Sequence, residues 1–285
     1  MTAIESALRG LIDYAGLYPP AALDMRAAVR NYLGYGGQKS SAVLGRFIVD
    51  IARLDELREA TGDGSTWMRL SVIASPDTDP ELIARHRDDG LRIESVEIRC
   101  DAPLTIARIT EALPPTLEQY FEIPVQALCS EAVDALGSVG ARAKLRMGGV
   151  VAEAFPAMEN VVRALQLLAD RRVPFKATAG LHHPVRSRHP LTYAADSPCG
   201  MMHGFMNLLC AAAVIRFGGA AREAVDVLEE QDPAAFRVTD EEIVVRGHVW
   251  NVDQLREVRQ FFISFGSCSF TEPIHDLEAM GWPLE

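Results

Sequence analysis

Apolar positions in this chain follow two periods in turn. Short runs rich in β-branched and aromatic residues read as strands over Leu11–Ala15, Val43–Val49, Trp67–Ala74, Ser95–Cys100, Gln119–Val125, Ala143–Gly148, Val173–Ala179 and Phe261–Cys268. Between them apolar residues recur at three- and four-residue steps. That spacing predicts helices over Asp24–Leu33, Leu54–Ala60, Asp79–His86, Leu104–Ala112, Ser130–Val139 and Ala154–Asp170. Strands alternating with helices predict a parallel sheet covered by helices. Eight such units favour a single α/β domain over residues 1–285, a closed (β/α)8 TIM barrel, over an open doubly wound sheet. No Gly-x-Gly-x-x-Gly follows the first strand, which weakens a dinucleotide-binding alternative.

The rhythm breaks between the seventh and eighth strands. There the pattern predicts an apolar helix over Met201–Phe217, another over Ala221–Glu230, a hairpin pairing Phe236–Val238 with Ile243–Arg246, and a helix over Val252–Arg259. We read this as a helix–hairpin insertion spanning about residues 185–255.

Composition narrows the classes. The net charge of −11 argues against nucleic acid as the main partner. No apolar run approaches the ~20 residues of a membrane span, and Met1–Gly10 lacks the pattern of a secretory leader. Five irregularly spaced cysteines without a Cys-x-x-Cys pair predict reduced thiols and a cytoplasmic location. The expected partner is a small carbonyl or anionic molecule, with a homo-oligomer possible.

Lysine is scarce: only Lys39, Lys144 and Lys176 occur among 28 Lys and Arg residues. Two of these close successive strand-like runs just before glycines, in Arg142–Gly149 and Val173–Gly180. An arginine stays charged, whereas a lysine can be pushed to the neutral, nucleophilic amine. Side chains alternate along a strand, so Lys144 shares a face with Arg146, and Lys176 with Thr178. Barrel active sites lie at the C-terminal strand ends. Lys144 and Lys176 are therefore expected in one cavity, one lowering the pKa of the other. Asp13, Glu97, Asp101 and Glu122 are candidate proton-transfer groups. Each could instead simply pair with an inward arginine. Arg46, Arg146, Thr178, His182, Arg186, His203, Gly266 and Ser267 are the candidate substrate-binding set.

Several of these runs resemble deoxyribose-phosphate aldolases. Leu11–Pro20 is similar to their opening strand, Lys144–Gly149 to the strand bearing the Schiff-base lysine, and Lys176–Gly180 to the one bearing the second lysine. Gly266-Ser267 falls where they have a small-residue phosphate loop. The resemblance implies a class I aldolase-type lyase or isomerase without cofactor. Lys144 would be its nucleophile, Lys176 the pKa-lowering partner, Asp13 a polar site residue, and Asp101 or Glu97 would lie near the proton-shuttling acid. Arg146 and His182-His183 depart from that family's pattern. The blocks Phe175–Arg186 and Ser264–Phe270 also resemble those of a bacterial and plant family.

Two other readings stay open. His182, His203 and Glu122 at strand ends could hold a divalent metal such as zinc, manganese or iron, giving a metal-dependent hydrolase or lyase. A histidine-lined pocket helped by Arg186 could instead bind a small anion without catalysis.

Overall fold

The computed structural model describes residues 1–62, 67–100, 103–282 and 284. Among these, eight parallel strands close into a barrel: β1 (Ile12–Tyr14), β2 (Leu44–Asp50), β3 (Leu70–Ala74), β4 (Ile93–Arg99), β5 (Glu118–Ile123), β6 (Arg142–Arg146), β7 (Phe175–Thr178) and β13 (Phe262–Ser267). The last strand stands between β7 and β1 and closes the ring. All eight fall on the runs expected from the sequence, with ends differing by a few residues.

Helices α2 (Met25–Gly36), α3 (Leu54–Thr61), α4 (Pro80–Asp88), α5 (Leu104–Ala112), α6 (Ser130–Ser138) and α7 (Met158–Asp170) follow the first six strands. Their starts are chemically marked. Asp24 accepts from Ala27 N at the head of α2, and Asp79 accepts from Glu81 N ahead of Pro80 in α4. Val161, Val162, Leu165 and Leu168 form the buried stripe of α7. Helix α1 (Ala3–Leu8) precedes the barrel and opens with a Thr2–Glu5 capping box.

Between β7 and β13 lie β8 (Ser187–Pro190), β9 (Cys199–Met202), α8 (Phe205–Arg216), α9 (Ala221–Glu229), β10 (Arg237–Val238), β11 (Glu242–Val245), β12 (His248–Asn251) and α10 (Val252–Phe261). Helix α8 is apolar on every side because it packs against α7, α9 and α10 as well as the barrel. It starts later than its apolar pattern suggests. Met201 and Met202 belong to β9, which pairs antiparallel with β8. The expected hairpin carries a third strand, β12. Arg246 and Gly247 both take positive φ, the two-residue turn that joins β11 to β12. No helix among the described residues is long and apolar enough to cross a membrane.

Candidate active site

The barrel interior carries charge along its whole depth, where branched apolar residues usually pack. At the N-terminal end, Arg46 pairs with Glu94 at 3.0 Å and Glu118 at 2.9 Å. Arg69 and Arg92 also reach Glu94, and Arg142 reaches Glu118. Arg46 was expected at the mouth. The structure places its guanidinium instead in this belt at the barrel's base, where its carboxylate partners hold it. Alternation along β2 correctly turns it inward. Its height follows from barrel stagger, with Tyr14 opposite Phe47.

Higher up, Glu122, Lys144 and Lys176 stand side by side in register on β5, β6 and β7. Lys176 is fully buried. Its Nζ donates to Asp13 Oδ2 and to Glu97 Oε1, each at 2.6 Å. The Tyr120 ring lies beneath it, 5.4 Å from Nζ to centroid, with its hydroxyl on Glu118 at 2.8 Å. Burial, with Glu118 nearby, pushes that phenol up to about 12. Asp13 also accepts from Ser264 Oγ at 2.7 Å and from the Arg46 backbone N at 2.7 Å. Glu97 Oε1 accepts from Ser71 Oγ at 2.5 Å, and Ser71 in turn accepts from Ser95 at 2.7 Å. A Cβ on Gly45 would lie 2.3 Å from Asp13 Oδ1, so glycine there leaves room for the carboxylate.

Lys144 Nζ lies 2.9 Å from Glu97 Oε2 and 2.7 Å from Glu122 Oε2. The two ammonium groups therefore do not face each other directly. Glu97 sits between them, one oxygen to each. Burial alone would raise the Glu97 pKa, but the Lys144 and Lys176 charges outweigh it and hold the carboxyl well below its usual range. Burial would likewise discharge Lys176. Asp13 and Glu97 overcome it and keep that ammonium charged well past its usual range. Lys176 is thus a clamped cation, while Lys144 occupies the outer end of the chain of charges.

Glu122, the carboxylate beyond Lys144, lines a cavity of about 640 Å³ together with Arg99, Arg146, Phe155 and Asn160 among others. Arg146 Nη1 is a loose 3.5 Å from Glu122 Oε1, and its side chain is half exposed. Two glycines shape the wall. A Cβ on Gly148 would meet the Phe155 ring at 2.5 Å and Gly180 Cα at 2.9 Å. Gly180, and Ala179 before it, take positive φ after β7. Thr178 and Asp13 flank Gly266 in register, and Ser267 pairs with Tyr14. Asp101 lies outside the described residues.

The histidines disperse. His182 Nδ1 is 3.1 Å from Glu272 Oε2, which also accepts from Tyr193 at 3.0 Å. His183 Nδ1 is 2.6 Å from Asp276, and its ring stacks on His189 at 3.4 Å. Arg186 is placed by its backbone N on Asn207 Oδ1 at 2.9 Å. No three His, Cys, Asp or Glu side chains gather into a metal-binding group among the described residues. His182, His203 and Glu122 each face different partners. The Cys268 thiol is pushed up by burial and touches Tyr193 at 3.7 Å, an unreactive setting.

His203 is nearly fully buried, and its Nε2 is 3.0 Å from Pro156 O. A carbonyl only accepts, so Nε2 carries the proton. Burial, joined by the Arg186 charge and opposed by the Pro156 bond, lowers this imidazole to about 4. Its folded pKa lies below the unfolded value of about 6.5, so its share of stability is present above that pH. It is lost as the pH falls toward about 4, an effect on the order of 3 kcal/mol. His203→Gln keeps a donor for Pro156, so urea titrations should show a shallower loss between pH 6.5 and 4 than wild type. An unchanged slope would contradict the neutral buried imidazole.

Sequence reasoning did not single out Ser95, Tyr120 or Glu272. The first two are inward residues of apolar strands, and the period-two pattern points them at the core without distinguishing packing from hydrogen bonding.

No protein-family model and no curated protein sequence matches the chain. Solved structures align loosely. The tryptophan synthase A-subunit of Pyrococcus furiosus matches at 12% identity and TM-score 0.40, over 65% of this chain and 82% of that one. Muconate lactonizing enzyme from Pseudomonas putida matches at 10% and TM-score 0.40, over 88% of this chain and 65% of that one. FabK from Thermotoga maritima matches at 14% and TM-score 0.36, over 65% of this chain and 56% of that one. The chain thus spans less than two thirds of the latter two. Likeness at this level carries no argument, and the barrel rests on the chain's own strand pairing.

Proposed function

We propose that this chain is an enzyme, a lyase or isomerase of the class I aldolase type, in which Lys144 forms a Schiff base with a small carbonyl compound bearing an anionic group. One observation supports this above the others. Lys144 ends a buried chain of alternating charges, and the carboxylate holding it, Glu122, lines a cavity at the C-terminal face. Lys176 cannot serve as readily, because it is fully buried and neither of its carboxylate partners, Asp13 and Glu97, is among the residues lining that opening.

The chemistry needs a neutral amine. Glu122 takes a proton from Lys144, and the amine attacks the carbonyl carbon. The C–N bond forms as the C=O π pair moves to oxygen. That oxygen leaves as water carrying two protons, both originally on the Lys144 ammonium, and the iminium keeps the third. The iminium then accepts the electron pair of a breaking C–C or C–H bond. Lys176 stays charged, holds Asp13 and Glu97 in place, and keeps a fixed positive field beneath the reaction. Arg99 and Arg146 on the cavity wall suit an anionic substituent.

Incubation with pyruvate or glyceraldehyde 3-phosphate and cyanoborohydride tests the reading. Peptide mass analysis should find the reduced adduct at Lys144 and neither at Lys176 nor at Lys39. Adduct at Lys39 alone, or none with either probe, overturns it. Binding without adduct would favour an anion-binding protein without covalent chemistry.

A further inference from the structure

Glu122 holds two cations, one on each oxygen. Its Oε2 pairs with Lys144 Nζ at 2.7 Å, and its Oε1 accepts from Arg146 Nη1 at 3.5 Å. Schiff-base chemistry at Lys144 asks this carboxylate to take the lysine's proton. Two positive charges beside a carboxylate favour its ionised form and make it a weaker proton acceptor. While both cations hold Glu122, the proton stays on Lys144, and an ammonium is no nucleophile.

The two cations differ in where they stand. Lys144 is buried, and its ammonium is shared with Glu97 at 2.9 Å. Arg146 lies two residues further along β6, on the same face and about 7 Å closer to the strand's C-terminal end. Its side chain is half exposed, and its contact with Glu122 is longer than an ordinary hydrogen bond. Arg146 and Glu122 both line the cavity of about 640 Å³, whose wall also carries Arg99 and Glu153. Of the two cations on Glu122, Arg146 is therefore the one that an entering molecule meets. A guanidinium fork pairs with a carboxylate or phosphate through two parallel hydrogen bonds, a better match than the single long contact it makes with Glu122.

We propose that Arg146 couples recognition of the substrate's anionic group to activation of Lys144: the anion draws the guanidinium off Glu122 Oε1, and the freed carboxylate then takes the Lys144 proton. The inference rests on the Lys144 reading and adds a requirement to it. The anionic group is a condition for forming the amine as well as a handle for binding. No charge is stranded by the exchange. The guanidinium passes from one anion to another, and the proton moves from Nζ to Oε2 within an existing contact. A carbonyl compound without an anionic group leaves Arg146 on Glu122 and meets an ammonium. The site therefore selects anionic carbonyl compounds at the chemical step.

Acetaldehyde and a separate anion test this as a substrate in two pieces. Acetaldehyde is trapped with cyanoborohydride at constant ionic strength, with chloride, acetate or inorganic phosphate as the anion. Peptide mass analysis follows the adduct at Lys144, normalised to that at the exposed Lys39. In the wild type, acetate or phosphate should speed trapping at Lys144 about 3-fold or more over chloride, the scale of one partly exposed ion pair. Whichever anion does so identifies the group as a carboxylate or a phosphate. Arg146→Ala should trap acetaldehyde faster than wild type in chloride by a similar factor and respond to neither anion. Arg146→Lys, which keeps a cation there, should return the slow rate in chloride. A merely structural role would instead make Arg146→Ala the slower protein. Equal wild-type rates in all three salts, or an Arg146→Ala variant no faster than wild type in chloride, overturns the proposal while adduct at Lys144 leaves the Schiff base standing. No adduct at Lys144 in any salt, with acetaldehyde or with pyruvate, sinks both.

Discussion

Lys176→Met should cost about 3–5 kcal/mol of stability, the scale for leaving buried charges without their partner. Methionine matches the stem in length and removes only the ammonium, so packing changes little. What remains is Asp13 and Glu97, both buried, without the cation that lies 2.6 Å from each. Asp13 keeps Ser264 and the Arg46 N–H, and Glu97 keeps Lys144, Ser71 and its burial. The pH dependence carries the sign. In the wild type, Glu97 is depressed on folding. Its contribution is therefore present above its unfolded pKa near ~4.3 and is lost as the pH falls. Lys176 is raised on folding. Its contribution is present below ~10.4 and is lost as the pH climbs through the higher folded value. Without Lys176 the alkaline loss it causes disappears, and Glu97 loses one of its two cations, so its acid loss shrinks. The gap between wild type and variant should be widest between about pH 5 and 10 and should narrow toward pH 3. Urea titrations across that range read it directly. A gap below about 1 kcal/mol at pH 7 would mean that the buried carboxylates do not depend on this lysine for their stability.

The eight strands were legible because a buried parallel strand is a short apolar run, and a barrel repeats that signal eight times. The pairing of Lys144 with Lys176 was legible for the same reason. Each sits at the same distance from the end of a neighbouring strand, and the register puts them opposite each other. Two things were hidden. Height inside the barrel depends on stagger between strands, which no single strand encodes, so Arg46 was assigned to the mouth although it belongs to the base. The bridging role of Glu97 was hidden because alternation says only that it points inward. Two inward lysines then look like a like-charge pair, and only coordinates reveal the carboxylate between them. The Met201 segment misled for a further reason. Apolar residues beside a helix look like more helix, yet the burial of Gly200 and Met202, with Cys199 exposed and Met201 only partly buried, follows the two-residue period of a strand.

Lys144→Arg should abolish reductive trapping and lower turnover on the true substrate on the order of 10⁴-fold or more, as loss of a covalent nucleophile does. The fold should survive. Arginine keeps a cation between Glu97 and Glu122, so neither carboxylate is stranded, and the side-chain end at Glu122 borders the open cavity. The extra bulk costs about 1–3 kcal/mol at most. Lys176→Arg offers the instructive contrast. That site has no exposed surface, so the larger guanidinium must displace the Asp13–Glu97 pair, and stability falls more than at position 144. The larger structural cost thus falls at Lys176 and the chemical cost at Lys144. Trapped adduct and melting temperature, measured on both variants, separate the two. Adduct lost with stability kept at Lys144→Arg, and stability lost at Lys176→Arg, is the expected pattern. Near-normal turnover by a folded Lys144→Arg protein would remove covalent amine catalysis from this residue, because a guanidinium that stays protonated cannot form the imine.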